Sequence, residues 1–307
     1  MSKNILVIGG TRYFGKLLVQ RLIAAGHQVT IATRGNAGDR FGERITRIRV
    51  DRRDERAMQA AFAHATYDIV YDQMMYSPLD AAIAARVFRG RARRYIVAST
   101  IDVYRGLLGQ QAPFAEEELY VQGQAIDSTF AWHNPAYATA SYVAGKLQAE
   151  AYLYRDGSLP LVTVRIGHVL GGPEDFTGRL AHYVDMVRQR AALRYANATA
   201  ATSFISAPCI ADFLVWVGGQ SFTGPVNAAC EGALSAFDLM QRVGMLLGEP
   251  VSTVPVPPPV RCGELSPFDY PAPFWMDTSR ASELGYRFGH TDDWLDALIL
   301  KHDLTHV

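Results

Sequence analysis

Short apolar segments alternate with helical patterns along the first half of the chain, and this alternation limits the fold more than any other feature. Segments of strand length lie at 5–8, 29–32, 45–50, 69–71, 95–98 and 161–166. Segments with helical spacing lie between them, at 14–25, 55–64, 79–89 and 137–156. Such a β-α-β pattern is typical of an open parallel sheet with helices on both faces.

The second half of the chain is less regular. Helical patterns near 178–190, 210–218, 235–247 and 291–301 are separated by connections rich in glycine and proline. We therefore predict an α/β protein, with a doubly wound parallel sheet of Rossmann type and a smaller C-terminal lobe. The long interruption at 105–136 is either a binding loop or a surface excursion, and the proline-rich stretch at 254–259 must be extended.

Composition and charge exclude several classes of protein. The 307 residues are 49% hydrophobic, and 30 basic residues balance 30 acidic ones, so the basic excess of a nucleic-acid binder is missing. No apolar run reaches the ~20 residues that span a bilayer, and the first residues lack a signal-peptide layout. Three well-separated cysteines without a CxxC pair argue against disulfides and a zinc site. We predict a metal-free cytoplasmic protein that binds neither membrane nor nucleic acid.

A glycine-rich turn connects the first strand to the first helix. It comprises Gly9, Gly10, Thr11, Arg12, Tyr13, Phe14 and Gly15. In such a turn, backbone N–H groups and the helix N-terminus approach a pyrophosphate. Gly9 would form the tight turn, and Gly15 would allow the helix to pack closely on the strand. We predict that all seven residues bind a dinucleotide cofactor.

The residue that ends the second strand indicates which dinucleotide binds. NAD-binding folds of this type commonly have Asp or Glu there, which holds the ribose 2′-hydroxyl. This chain has Arg34 instead, and a guanidinium offers paired donors to a 2′-phosphate. Arg12 supplies a second cation. We predict NADP(H) over NAD(H), with residues 1–166 as the NADP(H)-binding domain and residues 167–307 as a mainly substrate-binding lobe with segments that return to the core.

A phenol and an ammonium group share one face of a predicted helix. Tyr142 and Lys146 are four residues apart, which brings their side chains together on the helix surface. Ser99 and Thr100 follow the fifth strand, at the edge where an open parallel sheet binds its ligand. A hydroxyl there, a Tyr/Lys pair and a dinucleotide loop together predict hydride-transfer chemistry.

In these features the chain resembles the extended branch of the short-chain dehydrogenase/reductase superfamily, the NAD-dependent epimerase/dehydratase-like proteins. The resemblance covers most of the chain and rests on the stretches 9–15, 51–54, 99–104, 142–146 with Glu150, 165–172, 224–228 and 277–285. The GGTRxxG form of the glycine loop is similar to a subgroup that includes chloroplast stem-loop-binding proteins.

The resemblance implies a role for each matching residue. Tyr142 would be the general acid/base, Lys146 its electrostatic partner and a ligand of the nicotinamide ribose, and Thr100 the hydroxyl that orients the substrate. The pKa of a free tyrosine is near 10, and a neighbouring ammonium favours its phenolate. The further cofactor residues that the resemblance implies are Asp51 beside the adenine, Arg52, and Gln73 in the cofactor channel.

The chain departs from the family pattern in three places. Ile101 and Asp102 replace the Asp-Glu pair of sugar-nucleotide dehydratases, which disfavours elimination and leaves Asp102 as either an acid toward the substrate or a polar turn residue. His168 replaces the asparagine with which many nucleotide-sugar epimerases grip their substrate, and is either a substrate contact or a core histidine. Cys209 is either a reactive thiol near a helix N-terminus or a structural cysteine. Asp102 and His168 are the predicted substrate residues.

The leading hypothesis is an NADP(H)-dependent oxidoreductase that interconverts a secondary alcohol and a ketone on a polar small molecule, either carbohydrate-like or a specialised metabolite. The alternative is a sugar or nucleotide-sugar epimerase with a tightly bound NAD(P) cofactor. An RNA-binding protein, supported by the arginines between 86 and 94, or an NADP sensor belongs to another class. The intact Thr/Tyr/Lys set argues against both. The resemblance also implies a homodimer built through the helices near 79–89 and 137–156.

Overall fold

The computed structural model of the chain describes residues 2–172 and 174–304. Its strands are β1 Asn4–Ile8, β2 Gln28–Thr33, β3 Ile45–Arg49, β4 Ile69–Asp72, β5 Tyr95–Ala98, β6 Leu161–Ile166, β7 His168–Leu170, β8 Ala192–Tyr195, β9 Phe204–Ser206, β10 Gly224–Ala228 and β11 Ser252–Pro255. Its helices are α1 Tyr13–Ala24, α2 Glu55–Phe62, α3 Pro78–Phe88, α4 Tyr142–Asp156, α5 Arg179–Arg188, α6 Ala207–Gly219, α7 Ala236–Leu247, α8 Ser279–Glu283 and α9 Leu295–Asp303.

The predicted strands of the first half agree with β1–β6 to within one residue at each end. The helix predicted at 137–156 differs, because α4 begins only at Tyr142. The preceding residues Pro135–Tyr137 form a separate 3₁₀ turn. Asn134 caps this turn by accepting a hydrogen bond from the Ala136 N–H at 3.0 Å, and the turn includes Tyr137, the first residue of the predicted helix.

Seven strands build one sheet in the order β10-β6-β5-β4-β1-β2-β3. The neighbours from β6 to β3 in this order pair in parallel. β4 and β5 are buried along their whole length, as central strands of a parallel sheet with two covered faces must be. The chain order reverses between β1 and β4, where the carboxyl ends of the strands leave room for a ligand. The predicted doubly wound sheet of Rossmann type is confirmed.

Helices α3 and α4 pack against each other. The Ser77 side chain caps α3 at its start, and α4 ends at Gly157, whose φ of 63° closes the last turn. Ala81 and Ala84 of α3 are fully buried in the core of the chain, whereas Ala144 of α4 is exposed. The small residues of α3 therefore serve the packing of the chain itself.

The chain divides into two compact units. The first comprises Met1–Arg105, Glu116–Arg165 and Ala211–Val226, and it holds most of the sheet. The second comprises Gly106–Ala115, Ile166–Ile210 and Asn227–Val307. Among the described helices, none combines the length and the apolar character that crossing a bilayer requires.

Helices α5, α7 and α9 pack together in the second unit, which also contains the parallel strand pairs β8–β11 and β7–β9. The proline-rich stretch enters the first of these pairs: its start lies in β11, and the Val256 N–H donates to the Tyr195 carbonyl at 2.9 Å. The long interruption also contributes, because Phe114 forms a bridge with Met276.

Candidate active site

At three glycines of the turn after β1, an added Cβ atom would lie less than 3.0 Å from another residue's side chain. A Cβ atom on Gly10 would lie 2.9 Å from the side chains of two valines, and one on Gly15 would lie 2.1 Å from the Gln73 Oε1 atom. Gly9 and Gly10 have φ angles of 99° and 84°, in the region that favours glycine. The turn therefore keeps its backbone bare at the carboxyl end of β1.

Helix α1 begins in the same turn. In the described part of the chain, the Arg12 side chain makes no capping hydrogen bond to this helix, and the first turn has no acidic residue. Tyr13 adopts a φ angle of 52°, which is rare for a residue with a side chain and is concentrated at functional sites. The positive end of the helix dipole thus carries no negative side chain of its own. Thr11 and Phe14, beside it, are half-buried.

Gln73 lies against this turn from the carboxyl end of β4. Its backbone N–H donates to the Ile8 carbonyl at 3.1 Å. Its side-chain Nε2 is buried and has no hydrogen-bond partner among the described residues. A buried amide donor without a partner calls for an acceptor, and a pyrophosphate or ribose oxygen would supply one. The glycine turn, the start of α1 and the buried Gln73 amide together fit a bound dinucleotide.

Two guanidinium groups lie at the ends of β2 and β3. The parallel register pairs Thr33 with Arg49, and the Arg49 Nε donates to the Arg34 carbonyl at 3.1 Å. Both side chains are exposed, and no carboxylate within residues 2–172 and 174–304 forms an ion pair with either. The sequence predicts Arg34 at the cofactor but gives no sign of Arg49. The β2–β3 register is the signal that reveals it.

Asp51 and Arg52 follow β3. Asp51 is partly exposed, and its Oδ1 accepts a hydrogen bond from the Arg53 N–H at 3.0 Å. The Arg52 guanidinium is buried 3.0 Å from the Asp72 carboxylate and 3.9 Å from that of Asp80. It also donates to the Met74 carbonyl at 2.8 Å. The structure places this side chain in a buried ion-pair network with Asp72 and Asp80. Contact of Arg52 with the cofactor stays a prediction.

Asp80 extends this network to the loop between β4 and α3. Its carboxylate accepts from the Tyr76 N–H at 2.9 Å and lies 3.2 Å from the His133 Nε2. Burial raises the pKa of Asp80, but the His133 hydrogen bond and the Arg52 guanidinium outweigh it, so the pKa lies below its ordinary value. Asp80 is therefore ionised at neutral pH and holds the backbone of Tyr76.

Lys146 reaches the carboxyl end of β5. Its Nζ donates to the carbonyl of Ala98, the last residue of that strand, at 2.7 Å. Thr100 follows two residues later, and Tyr142 lies one turn before Lys146 on α4. Lys146 and Thr100 are buried, whereas Tyr142 is partly exposed. The structure therefore brings the helix face that carries Tyr142 and Lys146 to the strand end that precedes Thr100.

A second buried ion pair holds α4 against the sheet. Arg165 of β6 donates twice to the Glu150 Oε2, at 3.2 and 2.9 Å. The Ser99 hydroxyl donates to the same carboxylate. Arg165 is fully buried and also donates to the Tyr104 hydroxyl at 2.9 Å. These bonds tie the helix of Lys146 to β5 and β6.

The two predicted substrate residues lie in different units. Asp102 accepts from the Thr100 hydroxyl at 3.1 Å and from the Arg105 Nε at 2.7 Å. His168, in the second unit, is buried with its Nε2 2.9 Å from the Tyr270 hydroxyl and its ring stacked on that of Tyr270. Contact of either residue with a substrate stays a prediction.

The structure describes all three cysteines, and no disulfide joins any two of them. The Cys209 N–H, in the first turn of α6, donates to the Ser206 hydroxyl at 3.2 Å, and this cysteine is partly exposed. Within the part of the chain that the structure describes, no group of three His, Cys, Asp or Glu residues is arranged to hold a metal ion.

Tyr76 is the other site residue that sequence analysis missed. It lies in the loop after β4, and the centroid of its ring is 4.5 Å from the Lys146 Nζ. Its position beyond a central strand, at the edge of the sheet where ligands bind, is the signal that points to it.

Solved structures with the same fold include three sugar-nucleotide enzymes. UDP-glucose 4-epimerase from Thermus thermophilus, in complex with NAD, has a TM-score of 0.69 and 20% identity over 99% of both chains. UDP-glucose 4-epimerase from Thermotoga maritima, with UDP-glucose, has a TM-score of 0.74 and 16% identity over 99% of this chain and 100% of that one. A dTDP-glucose 4,6-dehydratase from Bacillus anthracis, with NAD, has a TM-score of 0.74 and 12% identity over 99% and 98%. The TM-scores show a shared fold, and at identities this low the likeness shows the fold alone.

Two relatives align with parts of the chain. The 2'-dehydrokanamycin reductase of Streptomyces kanamyceticus is 26% identical over 181 residues, which are 58% of this chain and 46% of that protein. The chloroplast stem-loop binding protein of 41 kDa b from Arabidopsis thaliana is 34% identical over 84 residues, 23% of this chain and 22% of that protein. The aligned part spans less than half the length of either relative.

The profile of one family matches residues 5–218, which is more than half of the chain. The matched part includes the glycine turn, Arg34, Thr100 and the helix of Tyr142 and Lys146. The predicted membership of the epimerase/dehydratase branch is confirmed, and with it the prediction of an enzyme. The chain belongs to the NAD dependent epimerase/dehydratase family.

Proposed function

We propose that this protein is an NADP(H)-dependent oxidoreductase that interconverts a secondary alcohol and a ketone on a polar small molecule. One observation carries the proposal: the Lys146 Nζ donates to the Ala98 carbonyl at 2.7 Å, so the Tyr/Lys face of α4 meets the strand end that precedes Thr100. Membership of a family of NAD dependent enzymes supports it.

Thr100, Tyr142 and Lys146 have separate tasks in this reaction. The nicotinamide supplies or accepts the hydride when it is bound. Tyr142 gives a proton to the carbonyl oxygen during reduction and takes it back during oxidation, while Thr100 holds that oxygen by a hydrogen bond. The positive charge of Lys146 favours the phenolate of Tyr142. The backbone of residues 9–15 and the Gln73 amide hold the cofactor.

Burial controls the charge of Lys146. Desolvation lowers the pKa of its ammonium from 10.5 to about 8; Asp72 opposes this shift and Arg52 adds to it. Lys146 is therefore protonated at neutral pH but close to its titration point. Strongly perturbed groups of this kind are concentrated at catalytic sites, which supports a role for Lys146 beyond packing.

Arg34 and Arg49 favour NADP(H) over NAD(H). Both guanidinium groups are exposed at the ends of neighbouring strands, where the β2 end carries an arginine in place of the carboxylate that would hold a ribose 2′-hydroxyl. A 2′-phosphate accepts paired N–H donors from arginine and gains from each positive charge. Arg12, which is also exposed, adds a third cation, and Asp51 binds beside the adenine.

A carbohydrate-like ketone is the substrate that the similarities favour. The Streptomyces relative is a 2'-dehydrokanamycin reductase, and net reduction suits an NADPH that exchanges after each turnover. Residues 167–307 are the proposed substrate-binding lobe, and Asp102 and His168 are the proposed substrate contacts. A homodimer and a cytoplasmic location stay predictions from the sequence.

Epimerisation is the second candidate function. The likeness to two UDP-glucose 4-epimerases over nearly the whole chain favours it. An epimerase returns the hydride to the molecule from which it came, so it consumes no NADPH and keeps its nucleotide through purification. RNA binding has less support, because the stem-loop binding relative aligns with only 84 residues and RNA binding would give Tyr142 and Lys146 no use.

We expect the protein to bind NADPH at least about tenfold more tightly than NADH, and Arg34→Ala or Arg49→Ala to remove most of this preference. Each charge-assisted interaction with phosphate contributes about 1.5–3 kcal/mol, which NADH lacks. Titration followed by nicotinamide fluorescence measures both affinities. Arg287→Ala, an exposed arginine of the second unit, is the control. Equal affinities, or a loss for NADH as large as that for NADPH, would refute the 2′-phosphate site.

We expect Tyr142→Phe to lower kcat for reduction of 2'-dehydrokanamycin by NADPH by about 10²- to 10⁴-fold, because the variant lacks the proton that the phenol delivers. Nicotinamide absorbance measures turnover. Tyr137→Phe, an exposed tyrosine just before α4, serves as the control. Nucleotide that stays bound through purification, together with conversion of UDP-glucose without NADPH loss, contradicts the reductase and supports the epimerase.

We expect the free energy of unfolding of the wild type, relative to Lys146→Met, to rise between pH 8 and pH 10.5. In this window the unfolded lysine binds a proton that the folded one has lost, so stability increases with pH. The 2.5-unit difference between 10.5 and 8 sets an upper limit of about 3 kcal/mol. Urea unfolding of both proteins across the window measures it. If the difference in unfolding free energy between the two proteins stays constant from pH 8 to pH 10.5, Lys146 titrates at its ordinary pKa.

A further inference from the structure

The Tyr76 side chain contacts both members of the Tyr/Lys pair. The Lys146 Nζ lies 4.5 Å from the centroid of its ring. The rings of Tyr76 and Tyr142 are 6.1 Å apart between centroids and inclined at 44°. An aromatic face carries partial negative charge and attracts an ammonium within about 6 Å. Tyr76 therefore offers Lys146 a second attractive contact besides the Ala98 carbonyl.

The backbone of Tyr76 is fixed from two directions. Its N–H donates to the Asp80 carboxylate at 2.9 Å, and Asp80 is itself bound by His133 and Arg52. Its carbonyl oxygen lies 2.0 Å from where a Cβ atom on Gly145 would be. Gly145 stands between Tyr142 and Lys146 on α4, so a glycine in the Tyr/Lys helix gives this loop its close approach.

Tyr76 is 37% exposed, although its backbone is held by a buried network. A side chain that served only the core would be covered, whereas Tyr76 is partly exposed and has its ring face toward Lys146. Among the residues that the structure describes, its hydroxyl has only a weak contact, 4.0 Å from the Met74 sulfur. The ring face, and not the hydroxyl, is the part of the side chain that the structure engages.

We propose that Tyr76 is a positioning residue: its ring face holds the Lys146 ammonium next to the Ala98 carbonyl, in the place from which it acts on Tyr142. This inference rests on the function proposed above for Tyr142 and Lys146. The charged and titratable groups around Lys146 are the buried Asp72 and Arg52, Asp80 at the start of α3, Glu150 on its own helix, and the phenols Tyr76 and Tyr142.

Replacing the ring tests the proposal without any substrate. Tyr76→Leu and Tyr76→Met remove the aromatic face, and Tyr76→Phe keeps it. In the cofactor-free protein, we expect the pH midpoint for amine modification of Lys146, followed by peptide mass mapping, to fall by about half a unit to one unit in the Leu and Met variants. Tyr76→Phe should match the wild type. Tyr137→Leu, an exposed tyrosine beside Phe130, is the control.

Turnover gives the second readout. We expect kcat to fall about three- to tenfold in the Leu and Met variants, with KM for the ketone unchanged, because a positioning residue acts on Lys146 and not on the substrate. An unshifted Lys146 midpoint in both variants overturns the proposal, as does a Tyr76→Phe variant that loses as much as Tyr76→Leu. If Tyr142→Phe keeps full turnover, the proposed function fails, while the Lys146 titration still decides the role of Tyr76.

Discussion

The buried ion pair between Arg52 and Asp72 is the interaction on which the candidate site depends. Asp72 ends β4, a strand next to the point where the sheet order reverses, and its fully buried carboxylate needs a positive partner. Arg52 supplies the charge, and the Tyr95 hydroxyl adds a hydrogen bond at 2.8 Å. Because Arg52 also binds the Met74 and Asp80 carbonyls, it fixes the loop that leads from β4 to α3.

The Arg165–Glu150 pair fixes helix α4, as Arg52 fixes the loop between β4 and α3. With the Ser99 hydroxyl, it joins α4 to β5 and β6. Two separately anchored elements therefore meet where the Tyr76 ring faces the Lys146 ammonium. Fixed charges and dipoles of this kind need no rearrangement when charge develops in a reaction. The two buried ion pairs therefore support the chemistry proposed for Tyr142 by holding its surroundings in place.

The sequence predicted those parts of the fold and site that local patterns encode. Six strands follow from short apolar runs, and the glycine turn and the Tyr142–Lys146 spacing follow from strand–turn–helix order and helical periodicity. It did not predict the partners of Arg52. Asp72 lies 20 residues further along the chain, and it meets Arg52 only because β4 packs beside β1. Arg49 and Tyr76 were missed for the same reason, since each acquires its neighbour through strand register or helix packing.

The free energy of unfolding of Arg52→Met in urea, compared with that of Arg53→Met, measures how far the structure depends on the Arg52–Asp72 pair. Arg53 is exposed, so its replacement should change stability by no more than about 0.5 kcal/mol. Arg52→Met should lose about 3–5 kcal/mol, because Asp72 and Asp80 would remain buried without their cation. An Arg52→Met protein that is as stable as the wild type but no longer binds NADPH would refute this structural role and assign Arg52 to the cofactor.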